Sequence, residues 1–250
     1  LNKIKIITDS TSYVSKDYVE KENLDVVPLS YVFDGNSYVE GFMGEFDEFF
    51  EKLGSTKLFP TTSQPSTGDF FNAFTKALQD DDEIIVIVLS SKISGTYNSA
   101  ILARNMLENK KITIIDSETS ASNLRFLVED AVEMAKAGKS SEEIISFIER
   151  KKKTMHIFIT TGTLEYLSRG GRLSSVQATL GNLLSIRPII QMIDGELKLI
   201  EKVRGDTKAL STLIAKVPKT VQKIGICHIL NMSEAKKVKE MLEEKFPKAL

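Results

Sequence analysis

The 250-residue chain has no tryptophan and a single cysteine, Cys227. A lone thiol cannot close an internal disulfide, and without a CxxC pair no structural zinc site is encoded, so a reducing compartment, the cytoplasm, is the expected setting. Histidine is nearly as scarce, with only His156 and His228 present. His228 follows Cys227 on a predicted strand, where adjacent side chains point to opposite faces, so the two cannot readily share a metal. Cys227 is expected to be buried, His228 hydrogen-bonded, and metal catalysis absent. Net charge is also lacking: 33 Lys and Arg stand against 34 Asp and Glu, which leaves no global field to draw the chain onto nucleic acid or an anionic bilayer. The aliphatic run at residues 84–89 falls far short of the roughly 20 residues a membrane span needs. Any meeting with a bilayer is expected to be a transient surface contact. Residues 1–9 alternate as a strand does and lack the long apolar centre of a signal peptide.

Catalytic and nucleotide motifs are missing too. No GxxxxGK[ST] or GxGxxG follows a predicted strand, and no GxSxG elbow with an oriented histidine occurs. ATP binding by this chain alone and serine hydrolysis are therefore not expected. Arg169-Gly170-Gly171-Arg172 is too short to cradle a triphosphate.

What is present is the composition of a soluble globular protein, 42% hydrophobic and 27% charged. The length suits one large or two modest domains. Strand-like and helix-like segments alternate. Strands are expected at residues 4–8 and 26–33, the second interrupted by Pro28, with a short helix at 15–22 between them. After a loop-rich stretch come two helices expected to bury aromatic faces, one with Phe46, Phe49, Phe50 and Leu53, the next with Phe70, Phe71, Phe74 and Leu78. Residues 83–89 read as a strand covered on both faces. A helix at 96–107, a strand at 111–115 and helices at 122–137 and 141–152 complete a layered α/β series. Lys151-Lys152-Lys153 reads as the solvated last turn of a helix and as the boundary between domains at residues 1–154 and 155–250. Beyond it are expected a strand at 156–160, an amphipathic stretch at 176–184, a hairpin of 186–193 with 196–203 turning at Asp194-Gly195, a helix at 206–216, a strand at 221–230 and a helix at 233–246.

Three polar loops stand out. Thr61-Thr62-Ser63-Gln64-Pro65-Ser66 precedes a helix and reads either as an N-cap and turn or as hydroxyls converging on a carboxylate or phosphate. Ser90-Ser91-Lys92-Ile93-Ser94-Gly95-Thr96 joins the most buried strand to its helix and places Ser94 near a helix N-terminus, where partial positive charge gathers. Residues 167–174, with Arg169 and Arg172, read either as a surface loop or as a guanidinium contribution to an anion site. Together they describe a seat for a small anionic head group built without a metal.

These loops, with Thr8-Asp9-Ser10-Thr11-Ser12, Leu89 to Tyr97 and Tyr166 to Leu173, resemble in order and spacing the DegV family of fatty-acid-binding proteins over nearly the whole chain. The resemblance implies a two-domain α/β fold, an N-terminal mostly parallel α/β/α sheet followed by a second α/β domain with a mixed or antiparallel sheet. It implies one long-chain fatty acid held in an interdomain tunnel, its carboxylate anchored by Thr62 and Ser94, with Ser63 and Gly95 beside them. An Arg contribution is implied as well, from Arg172 or alternatively Arg169. The acid would be the only ligand, without a cofactor, and would be presented to a separate ATP-dependent kinase that makes the acyl phosphate for phospholipid synthesis in bacteria. Family chains continue past the helix at 233–246 with a strand and a segment carrying a site histidine, so the second domain is expected to lack its final segment and no His is assigned here. The Phe-rich helices and Leu180, Leu183, Leu184 and Ile186 are tunnel-wall candidates, with ordinary core packing as the alternative. At about 0.8 kcal/mol per methylene, about fourteen methylenes would make the tail the main source of affinity and leave orientation to the head group. The alternatives are a lipid-responsive sensor or adaptor and a stand-alone phosphotransferase or hydrolase.

Overall fold

A computed structural model describes residues 3–81, 83–108, 111–173 and 186–249. The chain packs as two compact units, Leu1–Met155 and His156–Leu250. In the first, β1 (Ile4–Asp9), α1 (Lys16–Glu22), β2 (Asp25–Val27), β3 (Ser30–Phe33), β4 (Asn36–Val39), α2 (Asp47–Ser55), β5 (Thr61–Ser63), α3 (Thr67–Asp80), β6 (Glu83–Val88), α4 (Thr96–Leu107), β7 (Ile112–Asp116), α5 (Ala121–Lys136) and α6 (Ser141–Lys151) follow in order. Four strands form a wholly parallel sheet in the order β2-β1-β6-β7. Strand β6 explains the layering. Its side chains alternate, so Ile85 and Ile87 pack with Leu124, Leu127, Ile144 and Ile148, whereas Ile84, Val86 and Val88 pack with Phe70, Phe74, Ala100 and Ala103. Helices α5 and α6 thus cover one face and α3 and α4 the other, as a continuous aliphatic strand requires. Helix α3 starts on a reciprocal cap: Ser66 Oγ accepts the Asp69 N–H at 3.1 Å and Asp69 accepts the Ser66 N–H at 2.7 Å.

Residues 26–33 do not form one strand. Pro28 has no N–H to give a ladder, and across it the chain leaves the parallel sheet at Val27 and enters a small antiparallel sheet, β4-β3-β5, at Ser30. Asp34 and Gly35 are both left-handed (φ 52° and 73°), the backbone a two-residue hairpin between β3 and β4 demands. The aromatic face of α2 is not buried as expected. Phe49 contacts Tyr31, Phe33 and Phe50 but remains half-buried, because this helix lies against a three-stranded sheet that offers no deep aliphatic layer.

The lysine run also departs from expectation. Lys152 is not solvated: its side chain is 6% exposed, pairs with Glu118 and Glu149 at 2.9 Å each, and donates to the Asp116 carbonyl at 2.8 Å. Lys151 pairs with Asp130. Lys152→Met would leave a carbonyl and two half-exposed carboxylates without their cation, and is expected to lower the urea-unfolding free energy by about 1–2 kcal/mol. An unchanged midpoint would show the pairing to be no better than solvation.

In the second unit β8 (Phe158–Thr160), α7 (Glu165–Arg169), β9 (Ile186–Ile193), β10 (Glu196–Arg204), α8 (Asp206–Lys216) and α9 (Met232–Lys245) follow. The three strands form an antiparallel sheet, β10-β9-β8. Asp194 and Gly195 turn left-handed between β9 and β10. Ile190 packs with Leu164, Leu173 and Leu197 on one face, and Ile189 with Val203 and Ala209 on the other. Residues 221–230 are not a strand. Their composition favours one, but a strand exists only where a neighbour completes its ladder, and no described strand pairs with them. Cys227 is consequently exposed, contrary to its expected burial, and Ile229 and Leu230 are each 72% exposed. His228 Nδ1 accepts the Asn231 N–H at 3.3 Å. The stretch at 176–184, with Leu180, Leu183 and Leu184, lies outside the described residues.

Candidate functional site

Parallel strands end together, and in the first unit the carboxyl ends of β1 and β6 bring the polar motifs to one edge. Asp9 ends β1 with its side chain fully buried. Its carboxylate accepts the Leu89 N–H at 2.7 Å, the Thr11 N–H at 2.9 Å and the Thr11 hydroxyl at 2.6 Å. Burial outweighs these bonds and pushes its pKa up to about 6, with the charge of Glu40 adding in the same direction. Ser10 Oγ accepts the Leu29 N–H at 3.0 Å and donates to the Glu40 carboxylate, which burial also raises. One corner of the chain, Asp9-Ser10, therefore holds two segments. Leu89 opens the serine loop that leads to Ser94, and Leu29 leads into β3, whose partner β5 carries Thr62.

The serine loop is fixed by its own backbone and by the end of β7: the Ser90 N–H reaches the Thr119 carbonyl at 2.9 Å and the Ser91 N–H the Asp116 carboxylate at 3.1 Å. Ser94 is half-buried. Its Oγ lies 2.9 Å from the Thr96 hydroxyl and accepts the Thr96 N–H at 3.3 Å. The N-cap of α4 is Gly95, which has no side chain to give, and no acidic residue lies in its first turn, in contrast to α3. Thr62 and Ser63 lie on β5 opposite Tyr31 and Ser30, and both are exposed. In the same loop Ser66 is consumed by capping α3, as the simpler reading of that loop expects.

The two hydroxyl loops touch. A Cβ on Gly95 would lie 2.8 Å from Gln64 Nε2 and 2.9 Å from Gln64 Cδ, so a larger residue at 95 would push this carboxamide aside. The backbone itself does not require glycine there, since φ is −77° and ψ 3°.

In the second unit the arginine loop closes α7. The Gly170 N–H reaches the Tyr166 carbonyl at 2.9 Å, the Gly171 N–H the Ser168 carbonyl at 3.0 Å, and the Arg172 N–H the Leu167 carbonyl at 3.1 Å. Gly170 leaves space that a Cβ would fill 2.9 Å from the Tyr166 carbonyl, and Gly171 is left-handed at φ 72°. Arg169 is paired with Glu165 at 3.0 Å. Arg172 is exposed and donates to the Gly170 carbonyl. Among the described residues no group of three or more His, Cys, Asp or Glu is placed to hold a metal, and no helix is long and apolar enough to cross a membrane.

Of these residues, Asp9, Glu40 and Gln64 escaped the sequence reading of the site. Asp9 carries a signal, an Asx-type turn at a strand end followed by hydroxyls. Glu40 carries none, because its partner Ser10 lies 30 residues away.

A parallel α/β/α unit followed by an antiparallel α/β unit, with hydroxyl loops at the strand ends, is the architecture of the DegV fold. The family model described as uncharacterised protein, DegV family, matches residues 3–249, and the chain belongs to that family. A DegV domain-containing protein of Caldanaerobacter subterraneus subsp. tengcongensis is 40% identical over 86% of this chain and 76% of its own length. Among solved structures, DegV from Bacillus subtilis, described as a fatty acid binding protein, matches with a TM-score of 0.87 at 33% identity, covering 100% of this chain and 90% of that one. A DegV lipid binding protein from Thermotoga maritima matches with a TM-score of 0.85 at 33% identity, over 97% and 87% of the two chains.

Proposed function

We propose that this chain binds a long-chain fatty acid, its carboxylate accepting hydrogen bonds from Thr62 and Ser94, and presents that head group to a separate ATP-dependent kinase for acyl phosphate formation. The reading rests on one observation above all: Gln64 lies against Gly95, which brings two hydroxyl loops together at the start of α4. Solved relatives described as fatty-acid- and lipid-binding support the ligand class. The chemistry suits it. The Ser94 and Thr96 hydroxyls satisfy each other, so Ser94 can turn its O–H to an arriving carboxylate while its oxygen keeps the Thr96 N–H. Backbone groups at Ser63 and Gly95 flank the same seat. Arg172 is proposed as a further head-group partner on its motif, with Arg169 the alternative. With no phosphate-binding loop in the sequence, phosphoryl transfer is assigned to the partner, and the chain acts as a binding subunit.

Native mass spectrometry of the protein purified without added lipid tests the reading. One bound species of long-chain fatty acid mass is expected, lost on delipidation and restored by oleate. A chain that carries no lipid and takes up no oleate would refute it.

A further inference from the structure

We infer that Gln64 is a third head-group ligand and the residue that makes this site prefer a free carboxylate to an esterified one. The inference rests on the fatty-acid reading and adds a residue to it. Gln64 follows β5 directly, two positions after Thr62. Its carboxamide lies over Gly95, the residue after Ser94, where a Cβ would displace it. The volume a Cβ would take at 95 is occupied by this amide. That amide is exposed and makes no hydrogen bond to any described residue. Its bonding capacity is left for a ligand beside Ser94. A carboxamide has two N–H donors and can turn them toward a carboxylate. The carboxylate's second oxygen, charged in the acid and an alkoxy oxygen in an ester, is the acceptor it would distinguish.

Oleate and methyl oleate binding to the delipidated full chain, measured at pH 8, tests this. Gln64→Ala is expected to weaken oleate about tenfold, the scale of one exposed hydrogen bond to a charged group, and to leave methyl oleate nearly unchanged. Gln64→Glu, which keeps the shape but sets a negative charge against the ligand's, is expected to lose more, about 100-fold. Gly95→Ala should displace the amide and reproduce the Gln64→Ala loss, yet cost nothing further when Gln64 is already alanine. A purely structural role for the contact would move both ligands equally, and additive losses in the double variant would separate Gly95 from Gln64; either result overturns the inference. If the Thr62→Ala/Ser94→Ala chain loses oleate while Gln64→Ala retains full affinity, only this inference falls. If the wild-type chain binds no oleate, the fatty-acid reading falls with it.

Discussion

The double variant Thr62→Ala/Ser94→Ala is expected to bind oleate about 100- to 1,000-fold more weakly than the wild-type chain, with its fold retained. Each hydroxyl donating to a carboxylate contributes on the order of 1.5–2 kcal/mol, and every 1.4 kcal/mol is about tenfold in affinity. The stability cost is smaller. Thr62 is exposed on an edge strand, where a threonine-to-alanine change costs about 0.5 kcal/mol. Ser94→Ala removes the acceptor of the Thr96 N–H, worth about 0.5–1 kcal/mol. Binding should therefore fall far more than melting, which displacement of a fluorescent fatty acid and a thermal scan of the same samples would separate. Equal affinity in both chains would place the acid's head group elsewhere.

The stability of the first unit should depend on pH with a sign opposite to that of most carboxylates. Burial holds the Asp9 carboxyl near pKa 6 in the folded chain, above its ordinary value of 3.8, so the native state binds this proton more tightly than the unfolded one. The contribution is complete below about pH 4 and is lost as pH rises through about 6. At roughly 1.4 kcal/mol per unit it amounts to about 3 kcal/mol, and Glu40, raised by its own burial, acts in the same direction. Asp9→Asn cannot titrate. Its unfolding free energy, measured in urea, should fall short of wild type at pH 4, and wild type's advantage should shrink by about 3 kcal/mol by pH 7. Parallel pH profiles for the two chains would rule out Asp9 as the source.

Local chemistry made much of this architecture readable in advance. The unbroken aliphatic run of β6, the Ser66 and Asp69 spacing that caps α3, and Asp194-Gly195 at a hairpin each carry their instruction within a few residues. The readings that failed depend on partners remote in the chain. Whether residues 221–230 become a strand is decided by a neighbouring ladder, and whether Lys152 is solvated is decided by Glu118, 34 positions earlier. Asp34-Gly35 was a local signal of the β3–β4 hairpin that went unused. The hydroxyl loops are a mixed case. Each motif is visible by itself, but the contact of residue 64 with residue 95 arises only when α3 and β6 have folded between them.

The switch of sheets at Pro28 sets the two proposed anchors on unlike supports. Ser94 belongs to a loop springing from β6, whose residues Ile85 to Val88 are wholly inaccessible to solvent. Thr62 sits on the outer strand of a three-stranded flap in which, among the described strand residues, Phe33 alone is buried. Amide protons of that flap should exchange through small openings that leave the parallel sheet closed. The two proposed anchors thus stand on supports of unlike depth, one on a loop from a buried strand and one on an exposed three-stranded sheet.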